Sequence, residues 1–180
     1  MNAPLTLTCL RILLIPVLVI ILLSQFRGRE ITAFIIFLVA VLTDMFDGIW
    51  ARRRNKITTL GQLLDPTADK LLIVSVLICL VGTGAVPAWM AVIIIGREIA
   101  VTGFRAIASS RGLNIPASPL GKLKMTSEAV TICLLLLGET ILGPLYILAR
   151  IGLWFTVTAA LISAAEYFFR HGRAVVSNNV

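Results

Sequence analysis

Six stretches of this chain, near residues 7–26, 31–51, 62–83, 87–108, 122–142 and 146–169, are each apolar over close to the length a helix needs to cross a bilayer, about 20 residues. Runs of that length, repeated along the whole chain, constrain the fold severely. In hydrocarbon a backbone has to satisfy its own N–H and C=O groups, which a helix does within itself. The expected fold is therefore all-α: a polytopic membrane protein with six transmembrane helices in one bundle. Only 14% of residues are charged and 58% are hydrophobic, whereas a soluble domain carries roughly 25% charged residues. The length suits one domain, 1–180, and no internal repeat or low-complexity segment divides it. Gly82-Thr83-Gly84-Ala85-Val86-Pro87 reads as a tight turn, Arg111 to Gly121 as the longest loop, and Gly143-Pro144 as the turn into the sixth run.

The net charge of +7 does not imply nucleic acid here. In a membrane protein, basic residues gather in cytoplasmic loops beside anionic lipid headgroups. Arg52, Arg53, Arg54 and Lys56 follow the second run, Arg105, Arg111, Lys122 and Lys124 surround the loop after the fourth, and Arg170 and Arg173 follow the sixth. With six spans these regions share one side, so both termini are expected on the cytoplasmic side of the membrane. Arg27 and Arg29 on the other side weaken that bias without reversing it. Cys9, Cys79 and Cys133 lack metal-ligand spacing and read as buried free thiols. The single histidine, His171, lies in a polar C-terminal tail, which argues against a histidine-based zinc or haem site. Arg11 and the absence of a small-residue cleavage site around Leu23–Phe26 argue against a signal peptide, so the first run is expected to be retained.

All four aspartates of the chain fall in one short run: Asp44 and Asp47 at the end of the second apolar segment, Asp65 and Asp69 at the start of the third. On helices, Asp44, Asp47, Gly48 and Ala51 share one face, and Gly61, Asp65 and Asp69 form a single stripe. Two facing stripes would collect four carboxylates, which need a counter-charge in apolar surroundings. Structural pairing with Arg52, Arg53, Arg54 and Lys70 is the plainer reading. Four acids on two stripes instead favour divalent metal, Mg²⁺ or Mn²⁺ on all-oxygen ligands, and suffice for two ions. Two ions suit displacement at phosphorus. Arg97 and Arg105, two helical turns apart, and Lys122 and Lys124 beyond the loop form a second constellation. Cations converging on one cavity imply a phosphate-bearing acceptor; snorkelling is the plainer reading for the lysines. The charges inside the runs cluster toward the cytoplasmic ends, so the bundle is expected to hold a polar cavity open to that side.

Asp44-x-x-Asp47-Gly48-x-x-Ala51-Arg52 followed by Gly61-x-x-x-Asp65-x-x-x-Asp69 resembles the full signature of the CDP-alcohol phosphatidyltransferases. The resemblance implies a six-helix, homodimeric membrane enzyme that transfers a phosphatidyl group from CDP-diacylglycerol to an alcohol and releases CMP. It implies that Asp44, Asp47, Asp65 and Asp69 hold metal, with Asp69 also the catalytic general base. It further implies that Asp47, Gly48, Ala51, Arg52 and Gly61 bind the CDP moiety of the lipid. The chemistry of these residues agrees: glycine admits a nucleotide against backbone, and Arg52 offers a planar fork to phosphate or cytosine. Arg97 to Arg105 and Gly121-Lys122-Leu123-Lys124 resemble the matching segments of bacterial members that make phosphatidylglycerophosphate. That implies glycerol 3-phosphate as acceptor, bound by Arg97, Arg105, Lys122 and Lys124, rather than serine, choline or inositol. Asn2-Ala3-Pro4, Thr8 and Arg11 resemble the family's opening pattern, with Leu5 departing from it, and place Thr8 and Arg11 toward the CDP-lipid. The same chemistry on another acceptor, such as inositol phosphate, is one alternative. A divalent-cation transporter is another, opposed by the apolar external halves of the runs. A non-catalytic scaffold leaves the aspartates unexplained.

Overall fold

A computed structural model describes the backbone of residues 3–54, 59–110 and 119–177, with side chains for 8–43, 67–110, 121 and 123–169. The described residues are helical and contain no strand: α1 (Ala3–Leu23), α2 (Arg29–Arg54), α3 (Thr59–Gly82), α4 (Ala88–Ser110), α5 (Pro119–Leu142), one 3₁₀ turn (Gly143–Tyr146) and α6 (Ile147–Ser177). Every apolar run of the sequence is a helix. Their ends follow local chemistry. At the close of α3 the amides of Thr83, Gly84, Ala85 and Val86 donate back to carbonyls of Cys79, Val81 and Leu80, with Gly84 at φ 77°. That left-handed residue turns the chain, and Pro87 blocks any continuation.

Several helix ends differ by a few residues from the sequence reading, and three departures stand out. α1 begins at Ala3 because Pro4 sits in its first turn, where no intrahelical donor is required. The expected polar tail is helical: α6 runs past 169 to Ser177, since one glycine, Gly172, costs only about 1 kcal/mol in a helix. α5 is interrupted at Gly138 (φ 67°, ψ 175°), where the expected span is continuous. Cys9, expected to be buried, is exposed on α1. Among the described residues one apolar run, Leu123–Phe169, is long and apolar enough to cross a membrane, and it includes the Gly138 break and the 3₁₀ turn. Large apolar side chains also stand exposed on other helices, including Leu13 at 66%, Val92 at 69% and Ile99 at 66%.

The chain divides into two compact units, Met1–Val86 with Ile132–Tyr146, and Pro87–Thr131 with Ile147–Val180. In the first, α1 packs against both α2 and α3. Ala33, Phe37 and Ala40 follow one another at helical spacing and are fully buried, as are Leu18, Ala68 and Val76. The break at Gly138 brings the end of α5 to the start of α2, where Thr140 Oγ1 donates to Glu30 Oε1 at 3.5 Å.

In the second unit α4 packs on α6 along a regular seam. Ala149, Leu153, Thr156, Ala160, Ser163 and Tyr167 alternate steps of four and three along α6, and all are buried. On α4 the buried Ile94, Val101 and Ala108 keep the matching seven-residue spacing. Alternation by four and three is the knobs-into-holes pattern of helices crossing at a shallow angle. Small residues also let α5 approach α6: Thr131 Oγ1 lies 3.2 Å from Thr156 Oγ1, and a Cβ added to Gly152 would stand 2.7 Å from Thr131 Oγ1. Thr131 is tied to Ser127 O at 2.7 Å and cannot simply swing aside. Gly152→Ala is therefore expected to destabilise this unit by about 1–3 kcal/mol, the usual cost of overpacking. Thermal unfolding in detergent should show a lowered midpoint, and Thr131→Ala in the same chain should recover most of it.

Candidate active site

The functional residues proposed from sequence fall on both units. In the first, α2 carries Asp44, Asp47, Gly48, Ala51 and Arg52, and α3 carries Gly61, Asp65 and Asp69. Each group lies within one continuous helix, so the spacings of three and four place Asp44, Asp47, Gly48 and Ala51 on one face of α2 and Gly61, Asp65 and Asp69 on one face of α3. The side chains of Asp44, Asp47, Gly48, Ala51, Arg52, Gly61 and Asp65 lie outside the described ones. Asp69 is described, and it accepts a hydrogen bond and ion pair from Arg11 Nη1 of α1. Arg11 is 2% exposed and the Asp69 side chain 28%. Thr8, one turn before Arg11 on α1, is also buried. The N-terminal motif and the aspartate motif are thus joined by a direct contact that neither predicts alone.

An arginine buried in an apolar bundle is held by its carboxylate partner. Here the consequence reaches further, because the carboxylate is the last of the four motif aspartates. Asp69 keeps substantial exposure while Arg11 fixes one of its oxygens, which leaves the carboxylate oriented and reachable. Among the described residues no three candidate metal ligands cluster, and Asp44, Asp47 and Asp65 are outside that set. The donor chemistry nevertheless suits a hard divalent cation: two carboxylates on one face of α2 and two on one face of α3, with neither thiolate nor imidazole among them.

The second unit holds the basic residues. Arg97 and Arg105 are on α4, and Lys122 and Lys124 are at the start of α5. Arg97 lies on the α4 seam between Ile94 and Val101, with a side chain 11% exposed. Its Nε donates to Ser163 Oγ of α6 at 3.2 Å, and its Nη1 donates to Glu98 Oε1 at 2.7 Å. Lys124 has no exposed side-chain surface; its Nζ donates to Glu98 Oε1 at 2.5 Å and to Glu128 Oε2 at 2.7 Å. Two cations and two carboxylates therefore form one chain of contacts whose formal charges cancel. Such mutual pairing is what allows four ionisable groups to be buried together. Arg105 is exposed two turns along α4, and the Lys122 side chain lies outside the described residues.

Sequence reasoning brought out the four cations and offered Glu98 and Glu128 only as groups that orient the neighbouring cations. It overlooked Ser163. The signal was present: Ser163 occupies a position of the four-three seam in an otherwise apolar stretch, where a hydroxyl requires a partner.

Comparison with known proteins places these residues in context. The family model for CDP-alcohol phosphatidyltransferase matches residues 1–164, running through both units. A CDP-diacylglycerol–glycerol-3-phosphate 3-phosphatidyltransferase of Bacillus subtilis (strain 168) is 37% identical, with 99% of each chain covered. Proteins with the same name from Rickettsia typhi (strain ATCC VR-144 / Wilmington) and Wigglesworthia glossinidia brevipalpis are 34% and 32% identical. The former match covers 93% of this chain and 95% of the relative; the latter covers 99% of each. The aspartate motif across α2 and α3, its tie to Arg11 and this end-to-end likeness agree: the chain belongs to the CDP-alcohol phosphatidyltransferase family.

Proposed function

We propose that this protein transfers the phosphatidyl group of CDP-diacylglycerol to sn-glycerol 3-phosphate, forming phosphatidylglycerophosphate and CMP in anionic phospholipid synthesis. The observation that carries the reading is the likeness, over 99% of both chains, to a relative whose name states that reaction. The acceptor hydroxyl attacks the lipid's β-phosphorus, the bond from that phosphorus to CMP breaks, and the hydroxyl proton passes to Asp69. Arg11 orients Asp69 for that transfer. Thr8, Arg11, Asp47, Gly48, Ala51, Arg52 and Gly61 hold the CDP-lipid. Asp44, Asp47, Asp65 and Asp69 would hold two ions of Mg²⁺ or Mn²⁺. When bound, these would neutralise the diphosphate and raise the acidity of the acceptor hydroxyl.

Arg97, Arg105 and Lys122 receive the phosphate of glycerol 3-phosphate; Lys124, expected from sequence to join them, is instead wholly buried and paired to Glu98 and Glu128, and it braces Glu98. Placement and charge neutralisation supply most of the catalysis. The protein works as a homodimer in the bacterial cytoplasmic membrane, its six helices crossing the bilayer and both termini and the active site facing the cytoplasm. The helices support this reading. The shortest, α1, has 21 residues, about 32 Å at the α-helical rise and enough for a hydrocarbon core of about 30 Å. Their exposed apolar side chains match acyl chains.

Purified protein given CDP-diacylglycerol, Mg²⁺ or Mn²⁺ and a panel of acceptors tests the proposal. CMP release is expected with glycerol 3-phosphate and at least tenfold slower with serine, inositol or inositol phosphate. Preference for another alcohol would overturn the acceptor assignment. Metal flux into proteoliposomes without CMP release would overturn the enzymatic one.

A further inference from the structure

We infer that Ser163 and Glu98 are positioning residues which lock the Arg97 guanidinium so that its remaining N–H edge is presented to the acceptor's phosphate. The inference rests on the reading of Arg97 as a phosphate ligand and adds what makes it one. A guanidinium carries five donors in a rigid planar fork, and its value for phosphate depends on which edge is free. Here Nε is taken by Ser163 and one hydrogen of Nη1 by Glu98. No described residue accepts from Nη2, so both of its N–H groups, together with the second hydrogen of Nη1, are left for a ligand.

The lock is built from the packing upward. Arg97 sits on the α4 seam, where an apolar residue would ordinarily meet α6. Facing it, Ser163 follows Ala160, and two small side chains make room for a guanidinium between packed helices. The Ser163 hydroxyl donates to Ala160 O at 3.1 Å, so its hydrogen is committed along α6 and a lone pair is turned to Arg97 Nε. On the other side Glu98 is fixed by Lys124, and Lys124 by Glu128. Arg97 is thus gripped by α4 and α6, with α5 bracing the grip. An arginine free to rotate would have to lose that freedom each time it bound phosphate; this one has already lost it.

Ser163→Ala tests the inference with little risk to folding, because alanine suits the seam as well as serine does. The expected result is a KM for glycerol 3-phosphate raised about tenfold, the worth of one hydrogen bond to a charged group, with the KM for CDP-diacylglycerol unchanged. Ser163→Thr, which keeps the hydroxyl, should restore most of the loss. In an Arg97→Lys chain, which has no Nε, Ser163→Ala should have no further effect on either constant. An unchanged KM for glycerol 3-phosphate in Ser163→Ala, or an equal additional loss in the Arg97→Lys background, overturns the positioning role. If Arg97→Lys itself leaves the KM for glycerol 3-phosphate unaltered, the assignment of Arg97 to the acceptor falls, and the positioning role falls with it.

Discussion

Replacing Asp69 by asparagine is expected to lower the rate of phosphatidyl transfer by roughly 10³-fold, the scale of losing a positioned general base, while CDP-diacylglycerol still binds. The choice of asparagine matters. Arg11 is almost wholly buried and donates to Asp69, and breaking a buried ion pair by truncation costs about 3–5 kcal/mol through the charge left behind. Asparagine keeps an oxygen for Arg11 to donate to and removes only the proton-accepting charge. Asp69→Ala removes both and is expected to reduce folded protein as well as turnover. Single-turnover CMP release with saturating glycerol 3-phosphate, alongside equilibrium binding of labelled CDP-diacylglycerol in detergent micelles, separates the two effects. Turnover by Asp69→Asn close to that of the unmodified protein would remove Asp69 as the base.

The largest effect on stability is expected at Lys124. Its ammonium group has no exposure and stands between Glu98 and Glu128. Lys124→Met leaves two carboxylates buried with Arg97 as the described cation, and should cost about 3–5 kcal/mol. Most of the folded protein should then be lost during extraction at growth temperature. Glu128 makes the case sharper, because its Oε1 is buried without a hydrogen-bond partner among the described residues. The check is the triple variant Lys124→Met, Glu98→Gln, Glu128→Gln, which removes charge from both sides at once. Replacing a whole buried network is far milder than breaking it, so its thermal midpoint should return toward that of the unmodified protein. If Lys124→Met alone unfolds at the normal temperature, the network does not contribute to stability as expected.

These two predictions draw on different amounts of sequence information. Asp69 was legible as a candidate: four aspartates at fixed helical spacing stand out in the pattern itself, and the helices that carry them follow from run length and apolarity. The contact from Arg11 was not, since 58 positions separate it from Asp69 and only the packing of α1 on α3 joins them. Lys124 was legible as a cation at the start of an apolar run, and its two carboxylate partners were visible as nearby charges. That they are tied together depends on the Lys124 side chain at the start of α5 reaching Glu98 of α4, which no local pattern encodes. The break at Gly138 escaped for another reason. A lone glycine in a helical stretch costs about 1 kcal/mol, too little to tell whether the helix runs through it or turns there.

The α6 seam has a consequence for insertions and deletions. Each residue advances a helix by about 100° around its axis, so the four-three alternation from Ala149 to Tyr167 acts as a reading frame. Removing one residue anywhere between Ala149 and Ala160 would leave the helix as long and as apolar as before. It would nonetheless rotate Ser163 away from Arg97 and bring Ala164, which has no hydroxyl, into its place. Membrane helices are usually thought tolerant of small changes in length, because hydrophobic thickness accommodates them. α6 is exempt from that tolerance over this stretch: its phase, more than its length, is what sets Ser163 against Arg97.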